Sequence, residues 1–114
     1  MPPPTVIIRV RDLAQTPSHA WLAVSGTLGA DTGRRLRHEL GARIDRGHHE
    51  LYLDLRELSC ADGMTVEAVR EAFALGATGR LHLIGAPERI RAALDQDPRI
   101  TWHAEVAAAW AEWA

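Results

Sequence analysis

Lysine and asparagine are absent from this sequence, and cysteine, tyrosine and phenylalanine occur once each. Because all 13 basic residues are arginine, lysine chemistry is excluded, including the phosphate-binding lysine of a P-loop. The all-arginine usage fits a genome rich in G and C and suggests a bacterial source. Cys60 has no second cysteine to bridge to, which agrees with a reducing compartment and reads as a buried structural thiol. No apolar run approaches the roughly 20 residues of a membrane span, and the N-terminus lacks a charged segment followed by an apolar core and a cleavage site. The expectation is a cytoplasmic protein without membrane insertion. A formal net charge of -2 leaves no basic field for nucleic acid. There is no Gly-x-Ser-x-Gly elbow and no zinc-binding helix motif, so the expectation is a non-enzyme with no catalytic residue, cofactor or metal.

What is there suits one domain spanning residues 1–114, with the proline run at residues 1–4 as a lead-in. A 46% share of hydrophobic residues against 25% charged separates it from disordered chains. Val6–Val10 reads as a β-branched strand at a sheet edge. The turn Thr16-Pro17-Ser18 then leads to a strand at Trp21–Val24, which should close a hairpin. The small-residue loop Ser25–Ala30 and an N-cap at Asp31 or Thr32 introduce a helix carrying Leu36, Leu40 and Ile44, stopped by Gly47.

Leu51, Leu53 and Leu55 alternate with Tyr52 and Asp54 in what should be a central strand. Asp62 is the cap candidate for a second helix with Val66, Val69 and Phe73, in which Val66 and Val69 face the core and Glu67 and Arg70 face solvent. The Gly76–Gly79 stretch ends it before a strand at Leu81–Ile84. Pro87 opens a third helix with Ile90 and Leu94, Pro98 breaks it, and a short strand follows at Ile100–Trp102. From Glu105 onward, Val106, Ala109, Trp110 and Trp113 share one helical face that should pack back onto the domain. The order β-β-α-β-α-β-α-β-α predicts an α/β fold: a mixed sheet of about five strands with helices mainly on one face.

Several constellations have bland readings. His48 and His49 before Glu50 suggest metal ligands, but neighbours on a strand point to opposite faces, and a solvated loop is favoured. Gly26-Thr27-Leu28-Gly29 lies where a nucleotide loop would sit but lacks its glycine spacing, so a tight turn is favoured. Arg34, Arg35, Arg37 and His38, with Arg43 and Arg46 further along the helix, read as a solvated face, with a patch for an acidic partner as the alternative. Trp102, Trp110 and Trp113 read as packing residues. An enzyme would need a perturbed acid–base pair, for which His82 and Glu57 are the candidates.

The stretch Leu51-Tyr52-Leu53-Asp54-Leu55 through Ala61-Asp62-Gly63-Met64-Thr65 resembles the signature of the STAS domain of anti-sigma-factor antagonists: a V/L-x-L-D-L strand leading to Asp-Ser-Ser-Gly-Leu at a helix start. Val24-Ser25-Gly26-Thr27-Leu28-Gly29-Ala30-Asp31-Thr32 and Leu81–Pro87 are similar to the family's corresponding segments, so the resemblance runs from about Val6 to Trp113. It implies a single STAS-like domain that binds an anti-sigma factor of the serine-kinase type and so acts in transcription regulation. By the same resemblance the partner-binding residues are Leu28, Gly29, Ala30, Asp31, Asp62, Gly63, Met64, Thr65 and Glu67. In the family the second serine is phosphorylated by the kinase partner, and phosphorylation breaks the complex. Met64 stands at that position without a hydroxyl, which leaves Thr65 and Ser59 as the nearest displaced acceptors. Other roles on the same fold are a STAS subunit of a larger signalling or lipid-transport assembly, and a small-ligand sensor.

Overall fold

The computed structural model describes residues 7–76 and 79–113. Strands β1 (Ile8–Gln15) and β2 (His19–Leu28) form the expected hairpin. Helix α1 (Ala30–Asp45), strand β3 (Glu50–Cys60), helix α2 (Val66–Ala72), strand β4 (Arg80–Ile84), helix α3 (Glu88–Leu94), strand β5 (Ile100–His103) and helix α4 (Val106–Trp113) follow in chain order. The sheet order is β1-β2-β3-β4-β5, so every strand pairs with its neighbours in the chain. β1 pairs antiparallel to β2, and β2 through β5 run parallel. β1 thus lies at an edge and β3 at the centre, as expected. Val6 and residues 77 and 78 of the Gly76–Gly79 stretch fall outside the described residues. Among those described, no helix is long and apolar enough to cross a membrane.

Strand alternation divides the apolar residues between the two faces of the sheet. Leu22, Val24, Leu51, Leu53, Leu55, Leu81, Leu83 and Ile100 form one contiguous core with Leu36 and Leu40 of α1, Val69 and Ala72 of α2, and Ile90, Ala93 and Leu94 of α3. Parallel strands require crossovers, and these three helices cover the face that the crossovers bury. The opposite face carries Trp21, Tyr52 and Ile84 beneath Ala109 of α4, with Val106 and Trp113 packed around them. Three helices on one face and one on the other agree with a mainly one-sided packing. Trp102 belongs to the larger core, with the Arg91 guanidinium 5.5 Å above its ring, and is therefore separated from Trp110 and Trp113 by the sheet.

Three local expectations are corrected. Asp31 and Thr32 lie in the first turn of α1, whose N-cap is Gly29. Asp62 does not cap α2: the helix starts later, and the Thr65 hydroxyl accepts from the Ala68 N–H at 3.1 Å. Val66 was expected in the core but is 47% exposed, because at the first helical position it projects beyond the layer that Val69 occupies.

Arg43, expected on a solvated face, is instead a buried charge at the edge of the larger core, because Asp12 and Glu39 pair with it there. Arg43 of α1 is 6% exposed and donates from Nε and Nη2 to the two oxygens of Asp12 on β1, both at 2.9 Å. Its Nη1 reaches Glu39 at 3.0 Å. The bidentate contact holds the Asp12 carboxyl below the usual carboxylate range. It clips α1 to the edge strand just before a bulge between Asp12 and Ala14 that leaves Leu13 51% exposed.

Candidate functional site

The two segments assigned to partner binding lie far apart in the chain and side by side in the structure. Parallel pairing carries β2 and β3 to a common end at Leu28 and Cys60, and the Ala61 N–H donates to the Leu28 carbonyl at 2.8 Å. Beyond Leu28 the chain enters α1 through Gly29, whose N–H donates to Thr32 Oγ1 at 2.7 Å. The Thr32 hydroxyl donates in turn to the Thr27 carbonyl at 2.8 Å. This interlock fixes the β2–α1 corner without an acidic cap.

Beyond Cys60 the chain turns sharply: the Met64 N–H donates to the Ala61 carbonyl at 3.2 Å. Gly63 takes φ of 79°, a left-handed conformation that the turn requires and that side chains disfavour. Arg89, in the first turn of α3, donates from Nη1 to the Ala61 carbonyl at 2.9 Å and from Nη2 to the Met64 carbonyl at 2.5 Å. One guanidinium thus satisfies two loop carbonyls. Sequence reasoning missed Arg89, since nothing in the chain links it to a loop 25 residues away.

The outcome for each assigned residue is specific. Ala30, Asp31, Asp62, Gly63, Thr65 and Glu67 are exposed at this end of the sheet. Asp31 is ion-paired with Arg34 of the next turn. Leu28 is 0% exposed and belongs to the core, so it supports the surface without being part of it. Gly29 is half-buried. Met64 is half-buried as well: a methyl placed on Gly33 of α1 would meet Met64 Cε at 3.9 Å. Its side chain therefore lies against α1. Ser59 donates to the Gly26 carbonyl at 3.3 Å, and its hydroxyl lies 3.5 Å from that of Thr27. Burial pushes the Cys60 thiol up while the charge of Arg89 opposes it, so the thiolate is disfavoured at neutral pH. Among the nearby arginines, Arg34 and Arg37 are matched by acids, Arg37 lying 3.6 Å from Glu71 of α2.

A second cluster lies on the opposite face. Glu50 accepts from His19 Nε2 at 2.8 Å and from His82 Nε2 at 2.7 Å, and His82 Nδ1 meets His103 Nε2 at 3.0 Å. His19 Nδ1 lies 2.8 Å from the Ser18 hydroxyl. Tyr52 stacks on His82 with ring centroids 4.0 Å apart, and burial followed by the charges of Glu50 and Glu112 pushes its phenol up to about 12. Burial works to raise the Glu50 carboxyl, but the hydrogen bonds and charges of His82 and His19 outweigh it and hold the group below its ordinary value. Glu57 is exposed on a different part of β3, so the acid that pairs with His82 is Glu50. The signal for this was strand register: Tyr52 opposes His82, which puts Glu50 and His82 on one face two residues apart.

No family model matches the chain, and no curated protein sequence matches it significantly. Solved structures do. The anti-sigma factor antagonist SpoIIAA in its unphosphorylated form matches with a TM-score of 0.61 at 19% identity, covering 92% of this chain and 97% of that one. The Bacillus cell fate determinant SpoIIAA in the phosphorylated form matches with a TM-score of 0.59 at 17% identity, covering 93% of this chain and 100% of that one. The chain therefore has the fold of SpoIIAA, the STAS fold that its central strand and loop resemble.

Proposed function

We propose that the chain is a protein-binding domain of the anti-sigma-factor-antagonist kind, a cytoplasmic regulator of transcription that sequesters a serine-kinase-type anti-sigma factor and does no chemistry of its own. One observation carries the reading. The β2–α1 corner and the Ala61–Thr65 turn, tied by the Ala61 to Leu28 hydrogen bond of 2.8 Å, form one surface at the sheet end with Ala30, Asp31, Asp62, Gly63, Thr65 and Glu67 exposed on it. Gly29 and the half-buried Met64 complete it.

The family's serine switch has no acceptor here. Met64 lacks a hydroxyl, the Thr65 hydroxyl accepts from the Ala68 N–H as the cap of α2, and the Ser59 hydroxyl is bonded to β2. Phosphate on Thr65 would break the cap, and on Ser59 it would break the contact between strands. Complex formation then follows the abundance of the protein instead of its phosphorylation.

The test is amide-shift mapping while adding the anti-sigma kinase of the source organism, followed by intact-mass measurement with ATP. Shifts at Ala30, Asp31 and Asp62–Glu67 with no gain of phosphate are expected. Shifts confined to the Trp110–Trp113 end would overturn the surface. Stoichiometric phosphate on Thr65 or Ser59 that releases the partner would overturn the absence of the switch.

A further inference from the structure

The row Glu50, His82 and His103 crosses three adjacent strands beneath α4. We propose that the imidazole pair His82–His103 is a pH-sensitive latch, holding α4 against the sheet at neutral pH and loosening it on acidification, which uncovers Trp21 and Tyr52.

Hydrogen positions follow from the partners. Glu50 is an ionised acceptor, so His82 Nε2 carries a hydrogen. With both imidazoles neutral, His103 Nε2–H donates to the lone pair of His82 Nδ1, and the row is satisfied. A first proton is also accommodated: cationic His82 donates from Nδ1 to a His103 that carries its hydrogen on Nδ1. A second is not. Two imidazolium rings would aim N–H against N–H across 3.0 Å, with their centroids 5.3 Å apart and their planes nearly parallel at 16°. To take up that proton, the pair must separate.

The charges facing the pair come from every neighbouring element. Glu50 on β3 faces His82 at 2.7 Å, and Glu112 on α4 attracts a cationic His103. His19 on β2 shares Glu50, and Arg80 on β4 lies opposite Glu50 in register. Tyr52 stays neutral. A doubly charged pair would therefore set two imidazolium rings and Arg80 against Glu50 and Glu112, with His19 already drawing on Glu50. Burial, then the charge of His82, holds His103 below its ordinary value despite Glu112, so the folded arrangement resists the proton.

Separation takes place at α4 because His103 is the last residue of β5, with only Ala104 and Glu105 before the helix. His82, by contrast, is held within β4 between two paired strands. Of the eight residues of α4, only Ala109 is fully buried; Val106 and the edge-on ring of Trp113 complete its hold on Trp21 and Tyr52, so the helix rests on a few side chains that can open together. Trp21 and Tyr52, 5% and 1% exposed, lie under it.

The test compares backbone amide exchange at about pH 7.5 and about pH 5.5, corrected for intrinsic rates, in the full chain. Protection in α4 is expected to fall about tenfold or more, while amides of β3 change less than about twofold. In His103→Gln, whose amide donates to or accepts from His82 Nδ1 and does not titrate, the fall should shrink below about twofold. Unchanged α4 protection in the parent, or an undiminished fall in the variant, overturns the latch. Should the variant not fold, an NMR titration of the parent decides: loosening of α4 must share its midpoint with the His103 ring shifts, and separate midpoints overturn the proposal.

Discussion

The two faces of the sheet are built on different principles. The face under α1, α2 and α3 is packed from apolar side chains, with Leu22, Leu51, Leu53, Leu83 and Ile90 all 0% exposed and the ion-paired Arg43 at its edge. The face under α4 alternates aromatic rings with titratable groups: Trp21 stacks on Tyr52 at 5.2 Å, Tyr52 on His82 at 4.0 Å, and the imidazoles bond onward to Glu50 and His103. Apolar burial is insensitive to pH and non-directional, whereas the second arrangement depends on where protons sit. One side of this sheet therefore supplies stability, and the other carries the groups whose protonation changes with pH.

The largest effect should separate two adjacent residues of β3. Leu53→Ala removes a side chain from the apolar face and should cost about 2–5 kcal/mol. Tyr52→Phe, on the other face, removes only a hydroxyl and should cost about 1 kcal/mol or less. Urea unfolding of both variants checks this, and comparable losses would erase the distinction between the faces.

Next comes Arg43, the buried cation at the edge of the apolar side. Arg43→Ala should cost about 1.5–3 kcal/mol, since it removes charge-assisted bonds to Asp12 and Glu39. The same denaturation series measures it; a loss below about 0.5 kcal/mol, the range of ordinary surface changes, would make the clip irrelevant.

Thr65→Ala should cost about 1 kcal/mol as the loss of an N-cap, with Asp62→Ala within about 0.5 kcal/mol. Equal melting shifts for the two variants would return the cap to Asp62.

The smallest effect lies in the pH dependence of stability. The folded value of His103 is lowered, so below about pH 6.5 the unfolded chain binds more protons than the folded one, and stability falls as pH falls. The lowered carboxyls of Glu50 and Asp12 add to this loss further down, where stability present above their unfolded values disappears. Thermal melts from about pH 8 to about pH 5 should show a monotonic decline that His103→Gln flattens.

How much of this was legible follows from which interactions are local. The leucines of β3 and the spaced Leu36 and Leu40 of α1 carry their periodicity in the sequence, and both elements form where expected. The start of α2 was misplaced because Asp62 and Thr65 are both good caps, and the turn that Gly63 closes takes up the residues between them. Leu28 was placed on the binding surface by resemblance alone, while its burial comes from the pairing of β2 with β3. The Arg89 clamp and the imidazole row join residues on different elements, so they exist only once strand register is set.

The strand order β1-β2-β3-β4-β5 also bears on how the molecule is made. A sheet whose order matches the chain grows at one edge, so each strand leaving a ribosome finds its template already in place. The β1–β2 hairpin closes first, across a loop of three residues between Gln15 and His19, and each later strand waits only for its own crossover helix. We therefore predict stepwise compaction during synthesis, visible as successive force peaks on ribosome-bound chains of increasing length; a single peak at full length would contradict it. On that route β5 and α4 follow the other elements, so the aromatic face stays bare on the nascent chain until α4 has emerged.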